Sequence, residues 1–218
     1  MFTLRSTRTL RLTVGFALLV AAVASAQTVY NNGPINGETD AFTINFGFIV
    51  SDTFTVTQGS QVSGLSFGAW TFPGDVLESA QVTISSMENG GTTYFNQQVN
   101  FTQSDCFANN FGFNVCRETG SFDAGNFAAG TYWLNLGNAV VNSGDPIYWD
   151  ENSGVGCTSP GCPSQASESS EGTIGSEAFT LLGTSTSTTG SSVPEPGSLL
   201  LVASGVLGLA GVLRRKLL

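Results

Sequence analysis

Residues 42–57 read FTINFGFIVSDTFTVT. Phe42, Ile44, Phe46 and Phe48 fall on every second position, with Thr43, Asn45 and Gly47 between them. Phe54 and Val56 then alternate with Thr53, Thr55 and Thr57. A period of two belongs to a pleated strand, whose successive side chains point to opposite faces. The same alternation returns at Leu65, Phe67 and Ala69, at Ala80, Val82 and Ile84, at Val99 and Phe101, and at Tyr132, Leu134 and Leu136. Turn chemistry separates the runs: Asn36-Gly37, Pro73-Gly74-Asp75 and Asn89-Gly90-Gly91 tolerate positive φ or preset φ near the proline value. The pattern predicts an all-β domain, an antiparallel β-sandwich of jelly-roll type. Residues 178–182 are expected as a final strand pairing near the start of the domain.

Charge is distributed unevenly over the 218 residues. Arg5, Arg8 and Arg11 lie at the start, and Arg214, Arg215 and Lys216 at the end. Between Gln27 and Val193 stand fifteen acids and one base, Arg117, and the whole chain has no His. A nucleic-acid partner requires clustered Lys and Arg to neutralise phosphates, so it is excluded. An anionic lipid surface is disfavoured for the same reason. The acids read as a solvated acidic surface; the rival reading is that some of them bind divalent cations.

The two ends have a grammar of their own. A basic lead, a short apolar run over residues 12–23 and the small residues Ala24-Ser25-Ala26 form the three-part pattern of a secretory signal peptide. Cleavage after Ala26 would make Gln27 the first mature residue; the rival is an uncleaved anchor. At the other end, residues 199–213 are apolar and Arg214-Arg215-Lys216 follow at once. Fifteen helical residues span about 22 Å, short of a hydrocarbon core of about 30 Å, so crossing would be marginal. The basic cluster would stay cytoplasmic and leave the body outside. Residues 183–192 are Gly, Ser and Thr only, the composition of a flexible linker. Val193-Pro194-Glu195-Pro196 follows, and its prolines keep the backbone extended and open to a processing enzyme.

In this order, Pro194-Glu195-Pro196, the apolar stretch 199–213 and Arg214-Arg215-Lys216 resemble the PEP-CTERM sorting signal of exported bacterial proteins. The resemblance covers about the last 26 residues and leaves the middle of the chain unassigned. It implies transit through the inner membrane by the secretion machinery. It further implies processing by an exosortase, a membrane-embedded cysteine transpeptidase-like enzyme. The destination it implies is the cell surface or the exterior, in association with extracellular polysaccharide and biofilm. The expected organisation is therefore a signal peptide at 1–26, an exported β-sandwich at 27–182, a linker at 183–192, and a sorting signal at 193–218 with a transmembrane helix at 199–213.

All four cysteines lie in the body. Four cysteines allow three connectivities, and Cys106–Cys116 with Cys157–Cys162 is the favoured one, each closing a short loop worth about 2–3 kcal/mol. Zinc is the rival, but the spacings are wrong for a ribbon and no imidazole exists. Without His there is no Ser-His-Asp triad, and without Lys in the body there is no Schiff base. Carboxylate chemistry on glycans is the one enzymatic route left open. Asp145, Asp150, Glu151 and Asn152 offer the oxygen ligands that calcium takes, with an acidic loop as the bland alternative. Tyr148 and Trp149 beside them, and Trp133 on an outward phase, offer rings for a sugar; the alternative is that they are core. The expectation is thus a non-catalytic exported surface or matrix protein. The rivals are a carbohydrate-binding sandwich module, calcium-assisted or not, and a carboxylate-based glycan-active enzyme.

Overall fold

The computed structural model describes residues 27–185. In chain order the strands are β1 (Gln27–Asn31), β2 (Asp40–Thr43), β3 (Ile49–Val56), β4 (Ser60–Thr71), β5 (Leu77–Met87), β6 (Gly90–Asn100) and β7 (Thr102–Ala108). They continue with β8 (Asn114–Phe127), β9 (Gly130–Val141), β10 (Tyr148–Glu151), β11 (Ala166–Glu168), β12 (Gly172–Ile174) and β13 (Phe179–Ser185). The described residues contain no helix.

These strands form two sheets in which every pairing is antiparallel. The first is organised around β4. One edge of β4 pairs with β8, which carries β7. Its other edge pairs with β13 over most of its length and with β10 at Ala69 and Trp70. β1 lies outside β13, and β2 lies outside β10. The second sheet runs β12-β11-β3-β9-β5-β6. The inward phases named above meet between the sheets: Phe54, Leu65, Phe67, Ala69, Ala80, Val82, Ile84, Leu134 and Leu136 are all buried. Two sheets packed on their apolar faces bury the stripe that either would expose alone.

Three local features differ from expectation or refine it. The alternation at Phe42 and Ile44 does not continue to Phe46, because β2 stops at Thr43. Phe46 (φ 56°) and Gly47 (φ 91°) form a turn closed by the Phe48 amide on the Asn45 carbonyl at 3.0 Å. Positive φ at both central residues is the type I′ pattern, and it leaves the Phe46 ring outside, 65% exposed. The last strand runs through Ser185, so the first three residues of the expected linker are paired with β4. Ser159-Pro160-Gly161-Cys162 forms a turn inside the Cys157–Cys162 loop, with the Cys162 amide on the Ser159 carbonyl at 3.3 Å and Gly161 at φ 86°. Proline then glycine at the two central positions suits a type II turn.

Candidate functional site

Strand β10 carries the densest group of candidate residues, and pleating divides them. Trp149 points into the core. It is fully buried, its ring lies 5.9 Å from Phe67 and 5.6 Å from Phe179, and its Nε1 donates to the Ala178 carbonyl at 3.1 Å. Tyr148 lies on the other face, opposite Trp70 of β4. Trp133 is half-buried on the outer face of the second sheet, opposite Thr53 and Ser85. The ring platform expected from Tyr148 and Trp149 therefore does not assemble, since adjacent strand residues face opposite ways, and Trp133 stands apart on the other sheet.

The expected calcium set is divided in the same way. Asp145 is exposed on the turn before β10. Asp150 is turned outward but fully buried under the loop between β1 and β2. It accepts from Trp70 Nε1 at 2.6 Å and from the amides of Asn36 and Gly37 at 3.0 Å each. Burial raises its pKa against the pull of those three bonds. Glu151 points inward. Asn152 spends its amide on the Asn32 and Pro34 carbonyls and its Oδ1 on the Gly154 amide. These four residues do not share one centre.

Asp150 does, however, set the position of Trp70, and Trp70 anchors an aromatic groove. The Phe111 ring stacks on it at 5.3 Å and 22°. Phe113 lies 5.8 Å from Trp70, 5.5 Å from Tyr148 and 5.0 Å from Phe72. Phe111 and Phe113 come from the tip of the β7–β8 hairpin. That tip is fixed from within: Asn109 Oδ1 accepts from the amides of Phe111 and Phe113 at 3.0 Å each, and the Asn109 amide donates to the Phe113 carbonyl at 2.9 Å. The Cys106–Cys116 disulfide ties the two strands beneath it. Between these rings and a polar rim of Thr39 and Asp40 lies a groove of about 290 Å³. Burial holds the Tyr148 phenol above its ordinary pKa, so it stays a neutral hydrogen-bond donor. Ring faces, a hydroxyl and a carboxylate, with no cation among the lining residues, suit a neutral polyhydroxylated ligand. Tyr148 is the one residue of the expected platform that takes part. Phe111 and Phe113 escaped the sequence reading, because only the hairpin brings them to β10.

The acids are not all a solvated surface. Asp52, Glu118, Asp150, Glu151, Glu168 and Glu177 are buried. The ion pair observed among the described residues, Arg117 with Asp105 at 3.1 Å, is at the surface. Glu168 is supplied by hydrogen bonds from Ser169, Ser170 and the Glu171 amide. Burial opposes its ionisation, but the bonds from the Ser170 and Ser169 hydroxyls and the Ser170 and Glu171 amides together outweigh it, and its pKa lies below the ordinary value. Asp52 and Glu177 are different. They meet at one end of the core, where the Glu177 amide donates to Asp52 Oδ2 at 2.7 Å. Burial pushes Asp52 up to about 8 and Glu177 well above the usual carboxylate range. The Ser164 hydroxyl and Thr53 amide favour ionised Asp52, yet neither makes a bond of normal geometry to its Oδ1.

The Cys157–Cys162 disulfide closes the loop over that end of the sandwich, and the Asn31 amide donates to Ser159 Oγ inside that loop at 2.8 Å. Both disulfides are the expected pairs. The cleavage residues Ala24 and Ala26, the motif Val193-Pro194-Glu195-Pro196, the helix expected at 199–213 and Arg214-Arg215-Lys216 lie outside the described residues; Gln27 opens β1. Residues 192–216 match the family model described as the PEP-CTERM protein-sorting motif. The match supports export and sorting, with an exosortase as the processing partner. It does not reach the central domain, and no curated protein matches the chain.

Proposed function

We propose that this chain is an exported, non-catalytic surface or matrix protein, carried through the inner membrane and processed at its C-terminal motif. The observation that carries the reading is the sorting-motif match at residues 192–216. The charge distribution supports it, with the basic residues other than Arg117 confined to the two ends. So does the chemistry of the body. No His is present, and Asp52, Glu118 and Glu177 are enclosed, not arrayed along an open cleft. The many connections that pass between sheets, as from β3 to β4 and from β4 to β5, support a jelly-roll reading of the sandwich.

The test is fractionation of a host that carries an exosortase. The wild-type chain is expected to mature to a shorter species at the surface or in the medium. The double variant Pro194→Ala, Glu195→Ala is expected to accumulate unshortened in the inner membrane. Intact wild-type chain in the cytosol would overturn the export reading; unchanged maturation of the variant would overturn the role of the motif.

A second reading, binding of neutral glycan, is favoured by the Trp70–Phe111–Phe113–Tyr148 groove. Phe111 is 55% exposed but stacks on Trp70, so Phe111→Ala should cost no more than about 1.5 kcal/mol of stability. On a glycan array that detects wild-type binding, it is expected to weaken affinity about tenfold, or about 1.4 kcal/mol. Undiminished binding by Phe111→Ala would remove the groove from this role.

A further inference from the structure

We infer that the end of the sandwich where Asp52 meets Glu177 binds a divalent cation of the calcium type. Glu177 is wholly buried, and neither of its carboxylate oxygens has a hydrogen-bond partner. Asp52, equally buried, has no partner for Oδ1. The two come from opposite sheets, Asp52 from β3 and Glu177 from the bridge that pairs it with Glu151 beside β10. Glu151 is a further acid whose charge bears on Glu177. Buried ionised carboxylates cost several kcal/mol each unless something positive or donating meets them. The body holds one basic side chain, Arg117, and it is engaged at the surface by Asp105.

Neutral oxygens complete the setting. The hydroxyls of Ser164 and Ser176 are 2.7 Å apart. Each lies 2.7 Å from Asn32 Nδ2, which also sits 2.6 Å from the Glu177 carbonyl and 3.3 Å from Asp52 Oδ2. One amide nitrogen with two hydrogens thus faces four acceptors, and the cluster has more lone pairs than donors. Among the described residues no three acidic side chains stand close enough to enclose an ion by themselves. The ion would take two carboxylates, Asp52 and Glu177, and fill its shell from the hydroxyls, main-chain oxygens and water. An all-oxygen, irregular and partly neutral set suits calcium. Magnesium demands a near-octahedral shell and retains its waters. This inference is independent of the sorting reading and of the glycan groove. It also replaces the calcium set at 145–152, whose members point three different ways.

The test uses the full chain in detergent micelles at pH 7.5, by thermal unfolding in EDTA and then in calcium. At free calcium about a hundred times the dissociation constant, the midpoint is expected to rise by about 5–10 °C. Terbium is expected to luminesce on excitation of Tyr30, whose hydroxyl lies 3.2 Å from Asn32 Oδ1, and of Trp149, which donates to the carbonyl of Ala178, the residue after Glu177. Glu177→Gln should abolish both signals while unfolding in EDTA at or above the wild-type temperature, so the loss cannot be misfolding. Asp145→Asn should retain both. Identical midpoints in calcium and EDTA would overturn the inference and leave two protonated acids in its place. Full calcium response in Glu177→Gln, or its loss in Asp145→Asn, would overturn the assignment of these residues, and an equal rise with magnesium would overturn the choice of calcium.

Discussion

Trp149→Ala is expected to destabilise the domain by about 3–5 kcal/mol, measured by urea unfolding. The side chain is fully buried and packed edge-on against Phe67 and Phe179, so truncation removes its transfer energy and leaves a cavity between the two sheets. It also removes the donor that reaches the Ala178 carbonyl just ahead of β13. β10 is only four residues long and joins β2 to β4, so it has few other means of holding its place. Trp149→Phe should fall well short of the alanine loss, because it keeps ring contacts and loses only the indole bond and part of the volume. A tryptophan serving as an exposed sugar platform would behave in the opposite way, with little change in stability on truncation. A loss below about 1 kcal/mol for Trp149→Ala would contradict the packing of the indole against Phe67 and Phe179.

The same strand shows what the chain discloses in one dimension. Period-two alternation located the strands because side-chain direction is fixed by the pleat. The turn at Pro73-Gly74 was readable because proline and glycine select φ locally. The disulfide pairs followed from the short loops that they close. Phe46 was misread because a turn at Asn45-Phe46-Gly47 copies two residues of strand alternation before reversing the chain. The groove was hidden for a different reason. Phe111 and Tyr148 reach Trp70 of β4 only because the β7–β8 hairpin takes one edge of β4 and β10 takes the other. The buried acids left a signal that composition masked. Asp52 stands in phase with Val50, Phe54 and Val56, and Glu177 in phase with Phe179 and Leu181. An acid on an apolar phase is a buried acid unless the strand is frayed, and an overall excess of acids made these look like surface.

Glu118 is the third acid of that kind, and it gives the fold a measurable pH dependence. It lies in β8 opposite Phe67, fully buried. One oxygen accepts from Gln103 Nε2 at 3.1 Å, and the other has no partner. Burial pushes its pKa from 4.5 up to about 7, against the smaller opposing effect of the Gln103 bond. The folded state therefore binds this proton more tightly than the unfolded chain does. Its contribution to stability is fully present below about pH 4.5 and is lost as pH rises through about 7, a total on the order of 3 kcal/mol. Glu118→Gln keeps the oxygen that Gln103 addresses and cannot ionise. In the presence of EDTA, the two proteins should be of nearly equal stability at pH 4. By pH 8 the variant should be the more stable by on the order of 3 kcal/mol, because titrations common to both cancel in the difference. Denaturant midpoints at pH 4, 6 and 8 measure it. A difference that stays constant over that range would show that Glu118 ionises freely in the folded state and is not enclosed beside Phe67.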